Sequence, residues 1–412
     1  MSKKDIGRSP HPPTAAQLGL MHGFPPPLDK RVTIDNWQEP PFSRWSFQHI
    51  RQLLPTAAFH RGRAIAPLDD DEDPQKLADL SFRDAAGQPM TLQDLLAETY
   101  TDGFLVLHQG RVVTEQYFNG MTSQSHHLIW SCSKSIVGTL AGVLVYRGQL
   151  DPDALVSQYI PEIRDTGYGD ATIRHLLDMR VDLDYEEDYD PQSGIANVRQ
   201  ADRAAGYSLP RSPVEYSSYD YLLTLKQRGK SGQLFRYTTV TAELLGWVLQ
   251  RAAHLSLPEL LSRELWTKLG AEQDGYTIVD RLGNAAAGGG FCVTLRDLAR
   301  FGQMIVQQGW FNDEQVIPTG WIHDILMGGD RRAFAASEDG RGYPANSSYR
   351  SFWWVIGGAK PALMAIGIHG QHLYLVPDQA LVIVKFSSQP TPFDEQFYFN
   401  TYRGFWAIAS AL

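Results

Sequence analysis

The chain has 412 residues, enough for one large domain or two intimate ones, and 43% of them are hydrophobic, the share of a protein that buries a real core. A formal net charge of −9, with no dense run of Lys and Arg, speaks against the basic face of a nucleic-acid binder. The first residues carry two lysines without the apolar stretch of a signal peptide, and no window of about 18 apolar residues predicts a membrane span, so a cytoplasmic globular protein is expected.

The opening stretch to about Pro41 is rich in proline, with Pro12-Pro13 and Pro25-Pro26-Pro27, which predicts an extended arm over residues 1–45. Trp37 and Trp45 predict that its later part docks on the body. Asp69-Asp70-Asp71-Glu72-Asp73-Pro74 reads as a solvated acidic loop. Two strand-like runs, 103–108 and 111–117, meet across Gln109-Gly110 in the pattern of a hairpin. Ser131 then opens a segment whose apolar positions Ile136, Val137, Leu140, Ala141, Val143 and Leu144 suit a buried helix, with Gly148 as its stop.

From roughly 151 to 284 the pattern is mainly helix and loop, with helical spacing at 173–177 and 242–249. After Gly288-Gly289-Gly290 a helix is expected from 294 to about 308, then strands at 353–356, 372–376 and 381–386, the last two flanking a turn at Pro377-Asp378. The C-terminus from Glu395 reads as helix. Strands at both ends around a helical middle predict an α/β (α+β) fold. Its antiparallel sheet, flanked by helices, is built from 46–150 and 285–412, with 151–284 inserted as a mainly helical domain.

Ser131-Cys132-Ser133-Lys134 fits S-x-x-K. At a helix start this spacing puts the serine and lysine one turn apart on one face, within hydrogen-bond reach. A serine hydroxyl is a weak nucleophile until a base takes its proton, and a desolvated lysine can be that base. Alone the motif is weak, since chance supplies on the order of one match in a chain of this composition. The bland reading is a helix N-cap serine followed by a surface lysine. Context changes the balance: the motif follows a hairpin, opens a strongly apolar helix, and is followed by Gly148-Gln149-Leu150-Asp151-Pro152 and Tyr159-Ile160-Pro161.

With Thr172-Ile173-Arg174-His175-Leu176-Leu177, Phe235-Arg236-Tyr237-Thr238-Thr239, Gly288-Gly289-Gly290-Phe291 and Asp297-Leu298-Ala299-Arg300-Phe301-Gly302, these segments run in the order of the serine β-lactamase and penicillin-binding-protein superfamily. The chain resembles its class C and esterase branch. Asp35-Asn36-Trp37-Gln38-Glu39, Leu53-Leu54-Pro55-Thr56-Ala57-Ala58, Asp184-Tyr185-Glu186-Glu187-Asp188-Tyr189, Trp353-Trp354 and Gly367-Ile368-His369-Gly370-Gln371 are similar to the 6-aminohexanoate-dimer (nylon-oligomer) hydrolases within that branch.

The resemblance implies a serine hydrolase that cleaves linear amides or esters through an acyl-enzyme, without cofactor or metal. Ser131 is the implied nucleophile, and Lys134 with Tyr237 the proton shuttle, either of them the base. The backbone N–H groups of Ser131 and Ile368, the latter expected on the strand lining the site, are the implied oxyanion hole. Tyr189 is implied to hydrogen-bond the substrate amide, Trp354 to wall a methylene chain, and Asp202 to recognise the substrate ammonium. A homodimer is implied as well.

Three positions depart from the pattern. Ala365-Ile366-Gly367 replaces the superfamily's Lys-Thr-Gly, and Thr239 replaces the Asn two residues beyond the tyrosine; both speak against β-lactamase activity. Gly288 stands where the nylon-oligomer enzymes carry a polar residue, which speaks against efficient cleavage of that substrate. Two alternatives therefore stand beside the main reading: a carboxylesterase or D-amino-acid peptidase of the same fold, and a catalytically silent ligand-binding protein. A metal reading of His126-His127 or His369-x-x-His372 lacks a completing carboxylate cluster, and the glycine triplet lacks the Gly-Lys-Ser/Thr of a phosphate cradle. Cys132 and Cys292 are expected as reduced, buried thiols.

Overall fold

The computed structural model describes residues 12–70, 76–189, 197–209 and 217–412. In chain order its strands include β1 (Thr56–Phe59), β2 (Asp69–Asp70), β3 (Thr101–His108), β4 (Arg111–Tyr117), β5 (His126–Leu128) and β6 (Gly275–Ile278). There follow β7 (Phe291–Thr294), β8 (Ser348–Arg350), β9 (Trp353–Ile356), β10 (Ala362–Gly367), β11 (Gln371–Val376) and β12 (Leu381–Ser387). The longer helices are α1 (Cys132–Tyr146), α2 (Thr239–Ala253), α3 (Leu295–Val306) and α4 (Glu395–Ala411).

Eight strands form one sheet in the order β8-β9-β10-β11-β12-β3-β4-β2. Within it the pairing of β12 with β3 joins the two ends of the chain. Both faces of this sheet are covered, and side-chain alternation along the strands shows how. Leu105, Leu107, Val382 and Val384 pack in one apolar cluster with residues of α1 and α3. Phe104, Val106 and Ile383 point the other way, into a cluster with Phe405 and Ile408 of α4. A sheet buried on both faces gives continuous apolar runs rather than polar alternation, which is why these strands read as uninterrupted hydrophobic stretches. The α/β architecture is thus the one expected from the sequence.

Three local features differ from expectation. The acidic run was expected as a loop, but Asp69–Asp70 pair in parallel with Arg111 and Val112 as the sheet's edge; the rest of the run, 71–74, lies outside the described residues. A second, antiparallel sheet, β1-β6-β7-β5, was not foreseen, and β6 lies inside the stretch read as helix and loop. Finally, β10 stops at Gly367, so Ile368 opens the short 3-10 turn that follows the strand rather than lying on it.

The arm docks through its aromatic residues. Trp37 is 1% exposed, stacks on Trp130 with ring centroids 5.6 Å apart, and donates from Nε1 to the Tyr207 carbonyl at 2.9 Å. Arg44, also buried, donates to Asp102 at 2.8 Å. Trp130 immediately precedes Ser131, so the arm's packing reaches the residue next to the S-x-x-K motif.

Candidate active site

The turn into α1 carries the serine. Trp130 is in the left-handed region (φ 47°), and Ser131 follows at the N-cap of α1. Ser133 pins this turn, donating to the Trp130 carbonyl at 2.7 Å and accepting the Phe291 N–H at 3.1 Å. On the opposite side the end of β10 approaches closely: a Cβ at Gly367 would lie 2.5 Å from the Ile129 carbonyl oxygen. Only glycine lets that strand end, and Ile368 after it, sit against the segment leading to Ser131.

One turn into α1, Lys134 is 1% exposed, and its Nζ has three acceptors. It donates to Ser131 Oγ at 2.8 Å, Thr239 Oγ1 at 3.0 Å and the Gly288 carbonyl at 2.6 Å. Burial pulls its pKa down to about 8, while the carboxylates of Glu187 and Glu243 act in the opposite sense. Tyr237 completes the group. Burial holds its phenol well above the ordinary pKa, with Ser131 acting in the opposite sense, and its ring centroid lies 5.0 Å from Lys134 Nζ.

Two carboxylates, neither singled out from sequence, support this set. Glu187 accepts the Thr239 N–H at 2.8 Å, the Thr239 hydroxyl, and the Tyr189 hydroxyl at 2.5 Å. Glu243, on α2, accepts the N–H groups of Ala287 and Gly288 at 2.9 Å each and so fixes the carbonyl that Lys134 uses; burial pushes its own pKa up to about 7. A lone Glu among Ala242, Leu244, Leu245 and Val248 on an apolar helix is the signal that could have found it. Glu187 sits in a run of acids and gives no such contrast.

Ser131, Tyr237, Tyr189, Trp354 and Ile368 all line a cavity of about 550 Å³. Trp354 forms an aromatic wall, stacked on Tyr237 (centroids 5.6 Å) and on Tyr343 (5.3 Å). Glu187, Glu338, Asp339, Asp394 and Glu395 also line it, against Arg341. Asp202 and Gly288 are not among the lining residues. Asp202 is on the helix Asn197–Ala204, where burial and the Glu187 charge push its pKa up to about 7. Gly288 serves through its carbonyl, and a Cβ there would come within 2.7 Å of Thr239 Cγ2 and 2.8 Å of Glu243 Oε1.

Cys132 and Cys292 are buried free thiols, and among the described residues no group of three or more His, Cys, Asp or Glu could hold a metal ion. His369 and His372 each bond a backbone carbonyl through Nδ1, those of Gln389 and Gly370. No described helix is long and apolar enough to cross a membrane.

Comparison with known proteins shows the family and the fold. A family model described as Beta-lactamase matches residues 91–402. The chain is 38% identical over 365 residues to a 6-aminohexanoate-dimer hydrolase of Paenarthrobacter ureafaciens, covering 87% of this chain and 89% of that one. A structure from Bacillus anthracis, assigned as a 6-aminohexanoate-dimer hydrolase, superposes with a TM-score of 0.83 at 28% identity, covering 93% of this chain and 97% of the other. A family VIII carboxylesterase shares the fold at a TM-score of 0.59 and 15% identity, over 84% of this chain and 99% of its own.

Proposed function

The chain belongs to the beta-lactamase family of serine hydrolases, and from that premise we propose that it cleaves short linear aliphatic amides and esters through an acyl-enzyme on Ser131, with the linear 6-aminohexanoate dimer as a representative substrate. The observation that carries this reading is the hydrogen bond of Lys134 Nζ to Ser131 Oγ beside the Tyr237 ring, with Ser131 and Tyr237 on one cavity lining.

The steps follow from the groups present. Ser131 Oγ attacks the scissile carbonyl carbon while its proton passes to neutral Lys134, and the carbonyl electron pair moves to an oxyanion held by the N–H groups of Ser131 and Ile368. Tyr237, kept protonated by its raised pKa, donates to the departing amine or alkoxide and is reprotonated from Lys134. Water then attacks the acyl-enzyme by the reverse proton path. Trp354 walls the methylene chain, Tyr189 hydrogen-bonds the amide, and Asp202, which is not among the lining residues, would act on the substrate ammonium through its charge alone. The five acidic lining residues, Glu187, Glu338, Asp339, Asp394 and Glu395, support a substrate with a cationic end.

Residues 1–45 act in this reading as an arm, and 151–284 as a helical unit set against the sheet domain of 46–150 and 285–412. We also take the protein to work in the cytoplasm as a homodimer, which light scattering of the purified protein checks. The carboxylesterase reading is favoured by one observation, Gly288, which brings no polar side chain to the site.

The test is hydrolysis of the linear 6-aminohexanoate dimer beside p-nitrophenyl butyrate, with Ser131→Ala as control. Both substrates should be cleaved, and at least a thousandfold of the rate should be lost in the variant, on the order found when a nucleophile is removed. Ester cleavage alone would move the protein to the esterase reading. Turnover that survives Ser131→Ala would overturn the mechanism.

A further inference from the structure

Lys134 can serve as a base only if its lone pair faces the Ser131 hydroxyl, and the surrounding hydrogen bonds decide where that lone pair points. Neutral lysine has two N–H bonds and one lone pair, and three oxygens stand around its Nζ. The Gly288 carbonyl can only accept, so it takes one N–H. Thr239 Oγ1 is ambiguous, because a threonine hydroxyl can donate or accept. If it donated, it would occupy the lone pair and silence the base. Its single proton is instead committed to the Glu187 carboxylate, which also accepts the Thr239 backbone N–H at 2.8 Å. Thr239 Oγ1 must then accept the second N–H of Lys134, and the lone pair is left for Ser131.

We propose that Glu187 is a positioning residue that locks the Thr239 hydroxyl toward itself and thereby aims the Lys134 lone pair at the Ser131 proton. In the step it serves, the Ser131 O–H bond breaks, its proton forms the third N–H bond of Lys134, and the oxygen's electron pair forms the bond to the electrophile. Glu187 itself neither gains nor loses a proton. A second hydroxyl, that of Tyr189, bonds the same carboxylate and holds it in place. The inference rests on Ser131 being the acylated residue.

The measurement is the rate at which a fluorophosphonate probe labels Ser131, followed by intact-protein mass at a pH where Lys134 is neutral in every variant. Glu187→Gln presents an amide N–H to Thr239 Oγ1, which turns the hydroxyl proton back toward Lys134. Labelling should slow by roughly tenfold to a hundredfold, the range of a misdirected general base. In a Thr239→Val background, where no hydroxyl remains to be locked, Glu187→Gln should change the rate by less than about twofold. Thermal unfolding confirms that each variant is folded, and Glu187→Ala replaces Glu187→Gln in the same comparison if the latter does not fold. Equal slowing in both backgrounds, or no slowing in either, overturns the lock. A wild-type protein that the probe does not label at Ser131 overturns the proposed function instead, so the two failures are told apart.

Discussion

Lys134 carries the mechanism's pH dependence, because burial that lowers its pKa to about 8 also makes the neutral amine available near physiological pH. The sign follows from the charge of the useful form. Below about pH 8 Lys134 is an ammonium and cannot accept the Ser131 proton; above it the amine is free. Then kcat/KM for p-nitrophenyl butyrate should rise with pH, pass its midpoint near 8 and level off above it, and a profile flat from pH 6 to 9 would remove Lys134 from the role of base. The nearby carboxylates of Glu187 and Glu243 act to raise this pKa, so Glu243→Gln should shift the rise to lower pH. At this scale the sequence was half legible. The S-x-x-K spacing is local, and a helix turns it into a contact whatever the rest of the fold does. Thr239 stood out in the sequence only as a departure that speaks against β-lactamase activity, yet its hydroxyl accepts from Lys134 at 3.0 Å. The Gly288 carbonyl was invisible because backbone groups carry no letter.

Long elements were legible and short ones were not, for a reason visible in β5, β6 and β7. Each has three or four residues, too few to establish a period, and β6 and β7 are buried along their whole length. They hold the residues that back the nucleophile: Phe291 N–H bonds Ser133, and the segment after β5 ends in Trp130. Trp130 keeps its left-handed backbone inside a ring stack, with Trp37 at 5.6 Å and Tyr207 at 5.9 Å, and Phe47 edge-on at 5.5 Å. A bulky residue in that conformation persists only where its surroundings over-determine it. Trp37→Ala removes a fully buried ring and should cost about 3–5 kcal/mol of stability, read by urea denaturation. Because Trp37 touches Trp130 and does not line the cavity, the same variant, assayed where it is folded, should lose kcat for the butyrate ester with KM within about twofold. An unchanged kcat would mean that the arm supports the body without bearing on Ser131.

Taken as a whole, the molecule brings two acidic stretches of its C-terminal part to one cavity, Glu338 and Asp339 from one loop and Asp394 and Glu395 from the start of α4. No periodicity or motif foretells this, since the two pairs are far apart in the chain, with the strands β8 to β12 between them. The overall charge of −9 has the same sign, so the field outside the cavity and the field at its mouth reinforce each other. A cavity with aromatic walls and low-dielectric surroundings focuses such a field on an incoming ligand. A substrate with a free ammonium at one end should feel it, and a neutral ester should not. The Debye length shrinks from about 30 Å at 0.01 M salt to about 3 Å at 1 M, which separates the two cases. Raising sodium chloride over that range should lower kcat/KM several-fold for the linear dimer of 6-aminohexanoate and leave that for p-nitrophenyl butyrate nearly level. Glu338→Gln with Glu395→Gln should flatten the salt dependence of the dimer alone, because neither side chain contacts Ser131, Lys134 or Tyr237. Equal salt slopes for the charged and neutral substrates would show that these carboxylates do not select the ligand and would leave the aromatic wall as the source of specificity.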